Sequence, residues 1–315
     1  MNLSVAERPT QMLSPFFNET LEGLMAKRKA LSPKYFYDRQ GSQYFDEICH
    51  LQEYYPYRSE LVLLPRVAKD LAKILSEEMT VVEFGAGSLH KIKPLLQAIP
   101  HIAEFIPIDI SVAHLQQATQ ELQLQFERVA MTPVAADFCR PIDLPPTQHP
   151  HLGFFPGSTI GNFTPKQAKE FLRSARTTLG YEAKLLIGVD TKKSPDILHQ
   201  AYNDSSGVTA KFNLNILHRI NRDLGSNIKV DKFEHYAFYD ATLGRVEMHL
   251  VSLVEQSFQL GQYTITLEQG ESIHTENSYK YNPHDFAILA AESGWHIQQS
   301  WLAENNMFSM YLLQS

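Results

Sequence analysis

The chain has 315 residues, of which 43% are apolar and 20% charged, a composition typical of a folded protein with a sizeable buried core. This balance excludes a disordered chain, a collagen-like repeat and a long coiled coil. The net charge is −7, from 28 basic and 35 acidic residues, and no cluster of Lys and Arg forms a basic stripe. We therefore expect small-molecule partners, and neither nucleic acid nor a membrane surface.

Three features of the sequence bear on location and metal content. No apolar run approaches the roughly 18 residues that a membrane span needs, and the segment up to Phe17 lacks the regions of a signal peptide. The two cysteines, Cys49 and Cys139, are too few for a disulfide framework and stand in no Cys/His cluster. We expect a cytoplasmic protein with no metal site.

The predicted elements begin with a tyrosine-rich stretch over residues 34–60, followed by alternating strand and helix patterns from about residue 79 to 195. This alternation is typical of βαβ units around a mainly parallel sheet, whose buried strands are nearly continuous apolar runs. The predicted strands are Thr80–Phe84, Phe105–Ile108, Val134–Ala136, Leu152–Phe155 and Lys184–Val189. The predicted helices are Val112–Phe126 and one that begins at Thr164 and Pro165.

The rest of the chain has a different character. Residues 196–281 combine two helical patterns with the alternating runs Val246–Val251 and Tyr263–Leu267, and a turn signal at Gly261 and Gln262 lies between these runs. These features favour an antiparallel cap in a second module. A helix that begins after Asn282, and strand-like runs over Trp295–Leu302 and Met307–Leu313, would then complete the sheet edge.

The loop after the first strand, from Glu83 to Ser88, contains Gly85 and Gly87 at the edge where open α/β sheets bind ligands. Glycine allows the backbone to approach a ligand and to adopt positive φ. A dinucleotide fingerprint needs a third glycine where this chain has His90, which argues against NAD. A simple tight turn is the alternative explanation of this loop.

The next two strands end in polar residues of the type that bind adenosine. Asp109 can accept both hydroxyls of a ribose, and Asp137 with Phe138 suits an adenine. Asp109 could instead cap the helix that starts at Ser111. Taken in order, these residues favour S-adenosylmethionine as the cofactor.

A second loop at the same edge, Phe155–Phe163, is rich in glycine and small polar residues. We expect an acceptor substrate to approach there, because the amide of Asn162 can both donate and accept hydrogen bonds beside the cofactor. The alternative is a plain connection in which Ser158 or Thr164 caps the next helix.

Several longer motifs, which together extend over most of the chain, resemble those of the L-histidine Nα-methyltransferases of ergothioneine biosynthesis. They are Ser32–Asp38 with Gly41 and Ser42, Glu53–Arg58, Gly157–Asn162, Ala201–Asp204 continuing to Gly207–Asn213, Arg245–Met248 and Glu276–Ser278. The resemblance implies an α/β fold: a class I, Rossmann-like methyltransferase sheet with an inserted α+β substrate-binding domain. We expect the methyltransferase core over 61–195 plus 282–315 and the substrate domain over 14–60 plus 196–281.

The resemblance also implies roles for individual residues. It implies that S-adenosylmethionine contacts Gly85, Gly87, Lys91, Asp109, Asp137 and Phe138. It implies that Tyr54, Asn162 and Tyr202 surround the backbone end of histidine, with Tyr37 close by, and that Glu276 and Ser278 bind the imidazole in a pocket lined by Met248. Our hypothesis is that Asn162 or Tyr37 orients the amine. Residues 276 and 278 share one face of a strand, so a carboxylate and a hydroxyl can together reach both ring nitrogens.

The implied reaction is three successive methylations of the α-amino group of L-histidine, which give hercynine and S-adenosylhomocysteine. We expect the enzyme to be a monomer. Two alternatives stay open. One is an enzyme of the same fold acting on another aromatic amino acid such as tryptophan, against which Glu276 argues, because an indole does not need a carboxylate partner. The other is a non-catalytic protein that binds S-adenosylmethionine or histidine.

Overall fold

The computed structural model describes residues 14–315, and residues 1–13, which carry most of the segment judged unlike a signal peptide, lie outside the described residues. None of the helices in the described part is long and apolar enough to cross a membrane. Its α-helices are α1 Pro15–Met25, α2 Arg39–His50, α3 Tyr55–Ile74, α4 Lys93–Ala98, α5 Val112–Gln123, α6 Pro165–Leu179, α7 Pro195–Tyr202, α8 Val208–Leu224 and α9 Pro283–Glu292.

Strands alternate with these helices and then dominate the later part of the chain. They are β1 Met79–Phe84, β2 Ile102–Asp109, β3 Ala130–Met131, β4 Val134–Ala135, β5 His151–Phe155, β6 Lys184–Asp190, β7 Phe233–Asp240, β8 Arg245–Ser252, β9 Gln256–Leu260, β10 Tyr263–Leu267, β11 Ser272–Tyr279, β12 His296–Leu302 and β13 Phe308–Gln314.

The described chain divides into two compact units. The larger, called here the sheet unit, consists of Cys49–Asp204, Phe238–Val246 and Asn277–Ser315. The second unit consists of the described residues up to Ile48, together with Ser205–Ala237 and Glu247–Glu276. The functional division expected from the sequence, into a core and a substrate domain, stays a prediction.

The sheet unit contains an eight-stranded sheet in the order β12-β13-β6-β5-β1-β2-β3, with β4 also paired to β2. The pairs from β6 through β3 are parallel, whereas β13 is antiparallel to both β6 and β12. This arrangement confirms the predicted α/β class, its Rossmann-like sheet and the two final strands at its edge. Because β1, β2, β5 and β6 are parallel, their carboxyl ends share one edge of the sheet.

Apolar side chains fill both faces of this sheet. One core cluster takes side chains from α3, α4 and α5, and the other takes them from α6 and α9. Successive residues of β13 show the division, because Phe308 and Met310 belong to the first cluster and Tyr311 and Leu313 to the second. This alternation is the two-residue period of a strand buried on both faces.

The second unit is built around α1, α8 and an antiparallel hairpin of β9 with β10. Its aromatic side chains pack closely: the ring centroid of Phe36 lies 4.6 Å from that of Phe212, and Tyr37 contacts both Phe45 and Phe212. Asp38 fixes the chain before α2, because its Oδ1 accepts the N–H of Gly41 at 2.7 Å.

The turn signal at Gly261 and Gln262 does not join the two predicted runs between which it lies. The turn at Gly261 and Gln262 joins β10 to β9, a strand that the sequence analysis missed, and does not join it to the run at 246–251. That earlier run forms β8, which lies between β11 and β7 in a three-stranded sheet. The period-2 pattern identifies a strand but not its partner, whereas a two-residue turn joins only the strands directly beside it.

Candidate active site

The glycine loop after β1 is held against the end of β2. The backbone N–H groups of Gly85 and Ala86 both donate to the carbonyl of Ile108, at 2.9 and 3.0 Å. The N–H of Gly87 donates to Oδ2 of Asp109 at 3.1 Å. Gly85 and Gly87 have φ values of +69° and +52°, which a residue with a Cβ adopts only with strain. Two predicted cofactor residues, Gly87 and Asp109, are thus in direct contact.

Asp109 also serves the following helix. Its Oδ1 accepts the N–H of Ser111 at 2.9 Å, just before α5 begins at Val112. The capping role that the sequence left open is therefore present. Each carboxylate oxygen has a second lone pair, so the Asp109 side chain can still accept two hydroxyl groups of a ligand.

Phe138 lies directly beside the glycine loop. A Cβ placed on Gly85 would come within 3.1 Å of the Phe138 ring, and the same ring packs against Phe155 and Phe171. The neighbouring Asp137 accepts the N–H of Cys139 through Oδ1 at 3.0 Å. An apolar ring next to an open backbone loop is a suitable surface for a flat base.

Glu83, the next-to-last residue of β1, has a buried carboxyl whose Oε2 has no hydrogen-bond partner within residues 14–315. Burial raises the pKa of this carboxyl well above its usual range, and Glu60 and Asp109 raise it further, against the opposing charge of Lys91. A buried polar atom is normally satisfied by a partner. The Glu83 carboxyl beside the glycine loop is therefore open to a hydrogen bond with a ligand or a water molecule.

Glu60, on α3, is fully buried and connects two parts of the site. Both of its carboxylate oxygens lie 2.9 Å from the backbone N of Gly157. Its Oε2 also lies 2.7 Å from Nζ of Lys91, a predicted cofactor residue. Glu60 therefore fixes the position of Lys91 relative to Gly157, near the start of the loop that follows β5.

The acceptor loop, residues 156–163, is tied to the end of β6. Ser158 has φ +55°, and its Oγ accepts the backbone N–H of Asp190 at 2.8 Å. Thr164 caps α6 in a capping box with Gln167, as one alternative reading proposed, whereas Ser158 binds Asp190 instead. Asn162 is half-buried at the end of this loop, and its amide has no hydrogen-bond partner in the described part of the chain. That amide is available to a ligand.

Asp190, at the end of β6, is a fully buried carboxylate with two lysine partners. Nζ of Lys280 lies 2.7 Å from Oδ2, and Nζ of Lys193 lies 2.5 Å from Oδ1. The hydroxyl of Tyr55 also donates to Oδ2 at 2.7 Å. Burial alone would raise the pKa of Asp190, but the charges of Lys280 and Lys193 hold it below its usual value.

The two lysines differ in how firmly they hold their protons. Burial and the nearby charge of Lys280 lower the pKa of Lys193 to about 8, despite its contact with Asp190. Burial also acts to lower the pKa of Lys280, but the charge and hydrogen bonds of Asp190 and Tyr202 outweigh it and raise the pKa above its usual value. Lys280 is therefore the permanent positive charge of the pair.

Lys280 also contacts two predicted substrate residues. Its Nζ donates to Oγ of Ser278 at 2.8 Å and to the hydroxyl of Tyr202 at 3.0 Å, and the Tyr202 hydroxyl donates to Ser278 Oγ at 2.7 Å. The rings of Tyr54 and Tyr202 meet edge to face with centroids 6.3 Å apart. Within the sheet unit, the structure thus places Tyr54, Tyr202 and Ser278 in one connected group.

The remaining predicted substrate residues belong to the second unit. Tyr37 packs with Phe45 and Phe212, as described above. Met248 is buried on β8, and its carbonyl accepts the hydroxyl of Thr275 at 3.0 Å. Glu276 is a buried carboxylate, 8% exposed, although without the family resemblance a surface position would be the expectation.

Sequence reasoning missed Glu60, Glu83, Asp190 and Lys280 as site residues. Two of them carried a signal: Asp190 ends an apolar strand as Asp109 does, and Lys280 continues the two-residue period of Glu276 and Ser278. Glu60 carried none, because its partner Gly157 is 97 residues away in the chain.

The residues of the sheet edge fit S-adenosylmethionine. Gly87 offers open space, since a Cβ there would meet nothing within 4 Å, and the unsatisfied Glu83 oxygen and the Asp109 carboxylate suit a ligand with an ammonium group, a sulfonium and ribose hydroxyls. Within residues 14–315, no group of three or more His, Cys, Asp or Glu side chains is arranged to hold a metal ion.

Comparison with known proteins identifies the family to which this chain is similar. Residues 16–315 match the family model described as "Histidine-specific methyltransferase, SAM-dependent". A histidine N-alpha-methyltransferase of Mycobacterium tuberculosis is 34% identical, over 93% of this chain and 93% of that protein. The ergothioneine biosynthesis protein 1 of Schizosaccharomyces pombe is 28% identical, over 95% of this chain and 40% of that protein. A 4-dimethylallyltryptophan N-methyltransferase of Penicillium roqueforti is 27% identical, over 94% of this chain and 93% of that protein.

The match to the family model covers nearly the whole chain, and the relative from Mycobacterium tuberculosis is similar over almost its full length. The α/β sheet and the open glycine loop at its carboxyl edge are those that such an enzyme requires. The chain therefore belongs to the histidine-specific, S-adenosylmethionine-dependent methyltransferases and is an enzyme that transfers a methyl group from S-adenosylmethionine to histidine.

Proposed function

We propose that this enzyme methylates the α-amino nitrogen of L-histidine three times, forming hercynine as the first step of ergothioneine biosynthesis. The observation that carries the proposal is the unpartnered, half-buried amide of Asn162, on a loop that Glu60 and Ser158 fix at the cofactor edge of the sheet. The name of the 34% identical mycobacterial relative supports the choice of the α-amino nitrogen.

The cofactor, when bound, supplies a methyl group on a positively charged sulfur. We assign its binding to Gly85, Gly87, Lys91, Asp109, Asp137 and Phe138. In this assignment the Asp109 carboxylate accepts the ribose hydroxyls and the Phe138 ring covers the adenine. We also assign to this site the buried Glu83 carboxyl, whose Oε2 has no partner within residues 14–315.

The amine must be neutral when it attacks the methyl group, because a protonated nitrogen has no lone pair. A free α-amino group has a pKa of about 7.7–8.0, so a substantial fraction is already neutral near pH 8. A nearby positive sulfonium favours the neutral amine further by charge repulsion. The main task of the residues is therefore to position the two reactants.

Repeated methylation limits how the substrate can be held. The amine loses its N–H groups one by one, so binding must come from the carboxylate and the imidazole. We assign the backbone end of histidine to Tyr54, Asn162 and Tyr202, and the orientation of the amine lone pair to Asn162 or Tyr37. Their hydroxyl and amide groups can hydrogen-bond to a carboxylate whatever the number of methyl groups on the nitrogen.

We assign the imidazole to Glu276 and Ser278, with Met248 lining the same pocket. Glu276 and Ser278 are 8% and 5% exposed and, two residues apart on β11, point to the same face of the strand, whereas Asn277 points to the other face. A carboxylate accepts a ring N–H and a hydroxyl serves the other nitrogen. An indole has one N–H and no second ring nitrogen, so this pair disfavours tryptophan.

We propose that the enzyme acts as a monomer in the cytoplasm, with L-histidine and its mono- and dimethyl forms as its small-molecule partners. The low cysteine content, two residues in 315, suits a reducing compartment.

The proposal is tested by comparing histidine and tryptophan as substrates for the wild type and for Glu276→Ala. We expect histidine to be the better wild-type substrate and the variant to raise its KM by about tenfold to a hundredfold, the effect of losing a hydrogen bond to a charged group. Asn277→Ala, next to it on the opposite face of β11, is the matched control. An unchanged KM in Glu276→Ala would contradict the imidazole assignment, and a wild type that prefers tryptophan would contradict the substrate.

A further inference from the structure

The three N–H groups of Lys280 are all engaged inside the sheet unit. They meet Oδ2 of Asp190 at 2.7 Å, Oγ of Ser278 at 2.8 Å and the hydroxyl of Tyr202 at 3.0 Å. An ammonium group has three donors and no acceptor. Lys280, which is 2% exposed, therefore has no donor left for a ligand and acts only through its neighbours.

The hydrogen-bond count at Ser278 follows from these contacts. Its oxygen accepts one hydrogen bond from Lys280 and a second from the Tyr202 hydroxyl, at 2.8 and 2.7 Å. A hydroxyl oxygen has two lone pairs, so both are used. What remains is its own hydrogen, and Ser278 can serve a ligand only as a donor.

We propose that Lys280 is a positioning residue that makes Ser278 a hydrogen-bond donor, so that the enzyme binds histidine with a neutral imidazole whose unprotonated nitrogen faces Ser278. This inference rests on the proposed contact between Ser278 and the substrate ring. A protonated imidazole has a donor on each nitrogen, and one of these would face the Ser278 hydrogen without an acceptor.

The charged and titratable groups around Lys280 come from several elements. Asp190 is the last residue of β6 and Lys193 follows it by three positions, Tyr55 lies on α3 and Tyr202 on α7, while Glu276 lies on β11, which ends at Tyr279 just before Lys280. Among them, Lys193 has a pKa of about 8, so it begins to lose its proton just above neutral pH. It contacts Asp190 and Tyr55, which makes it a natural control for Lys280.

The experiment measures histidine binding by calorimetry, with S-adenosylhomocysteine present, from about pH 5.5 to about pH 7.5, a range that spans the imidazole pKa of about 6.5. We expect the wild-type Kd to rise about tenfold as the ring becomes protonated. Triazolylalanine has the same α-amino and carboxylate groups as histidine. In its ring a nitrogen replaces one C–H of the imidazole, and this ring stays neutral over the pH range. Its Kd should stay constant within about twofold, which separates protonation of the substrate ring from titration of the enzyme.

Two lysine variants then test the role of Lys280. Lys280→Met returns a lone pair to Ser278, which can accept from a protonated ring, so the ratio of the histidine Kd values at the two pH limits should fall below about threefold. Lys193→Met removes the other lysine from the same carboxylate but leaves the Ser278 contacts intact, and should keep the wild-type ratio. If Lys280→Met does not fold, the wild-type comparison of histidine with triazolylalanine still decides the protonation state.

Contrary outcomes are distinguishable. Equal wild-type Kd values for histidine at both pH limits, or the same loss of pH dependence in both lysine variants, would overturn this inference and leave the proposed function standing. An unchanged histidine Kd in Ser278→Ala would overturn the proposed contact and this inference with it. Failure of the wild type to bind or methylate histidine near neutral pH would overturn the proposed function itself.

Discussion

The carboxylate of Glu60 holds the backbone N–H of Gly157 between its two oxygens, each 2.9 Å from the nitrogen. This contact joins the second turn of α3 to the first residues of the acceptor loop, and Lys91 completes it through a 2.7 Å ion pair with Glu60. Glu60 is fully buried, so the arrangement is shielded from competing water.

Removing this carboxylate should lower the free energy of unfolding. Glu60→Ala leaves the half-buried N–H of Gly157 and the 17%-exposed Lys91 ammonium without their partner, and we expect a loss of about 2–4 kcal/mol in unfolding free energy. Glu170→Ala removes one end of the exposed pair between Lys166 and Glu170 on α6 and should cost less than about 0.5 kcal/mol. Urea unfolding measures both variants. Equal losses would show that Glu60 contributes no more than a surface charge.

A side chain at Gly87 should weaken ligand binding more than its effect on the stability of the fold can explain. Gly87 and Gly225 have φ values of +52° and +67°, and a Cβ at either would meet nothing within 4 Å. Alanine at each position should therefore destabilise the protein similarly, by about 1–2 kcal/mol. We expect only Gly87→Ala to weaken binding of S-adenosylhomocysteine, by at least about tenfold, in a calorimetric titration. If the two variants bind it equally well, Gly87 does not face the cofactor.

The amide of Asn162 should affect catalysis without affecting stability. Because it has no partner in the described part of the chain, Asn162→Ala breaks no hydrogen bond of the folded protein. Loss of its contacts with histidine should lower kcat/KM by about tenfold or more, the effect of one or two hydrogen bonds. Steady-state kinetics and thermal unfolding should be measured on the same preparation. A large drop in melting temperature, or unchanged kinetics, would contradict this role.

Lys193 should give the protein a pH-dependent stability. Its pKa of about 8 in the folded protein lies below the usual 10.5, so between these values the unfolded chain binds more protons and the unfolding free energy rises with pH. The limiting slope for one proton is about 1.4 kcal/mol per pH unit. Lys193→Met should remove this rise, whereas Lys192→Met, an exposed neighbour paired with Asp285, should keep it. Urea unfolding at several pH values from about 7 to 10 measures the slopes, and identical slopes in all three proteins would contradict the shifted pKa.

Much of the sheet could be predicted because its strands are buried on both faces. The runs that end at Phe84 and at Phe155 are rich in apolar residues, and the structure confirms both as strands that are buried at nearly every position. The helix α3 was missed, because Pro56 and Pro65 interrupt its pattern although Pro65 lies inside the observed helix. The sequence did not show that β10 pairs with β9 and β8 with β7 and β11, because alternation of apolar and polar residues identifies a strand but not its partner.

The site was predictable only where a motif or a strand end marks it. Gly87 and Asp109 were selected from their positions after β1 and β2, and the structure joins them by a hydrogen bond. The role of Lys280 depends on contacts with α7 and with the end of β6, which no local pattern reveals. The roles assigned to the histidine-binding residues came from the family resemblance, and they stay predictions.

The most direct test of the central claim is mass spectrometry of the purified protein incubated with S-adenosylmethionine and a mixture of the twenty common amino acids. Fragmentation of each product locates its methyl groups. We predict one final product, histidine with three methyl groups on the α-amino nitrogen, preceded by its mono- and dimethyl forms. Methylation of tryptophan or tyrosine instead, methylation of the imidazole ring, or no methylated amino acid at all would contradict the account.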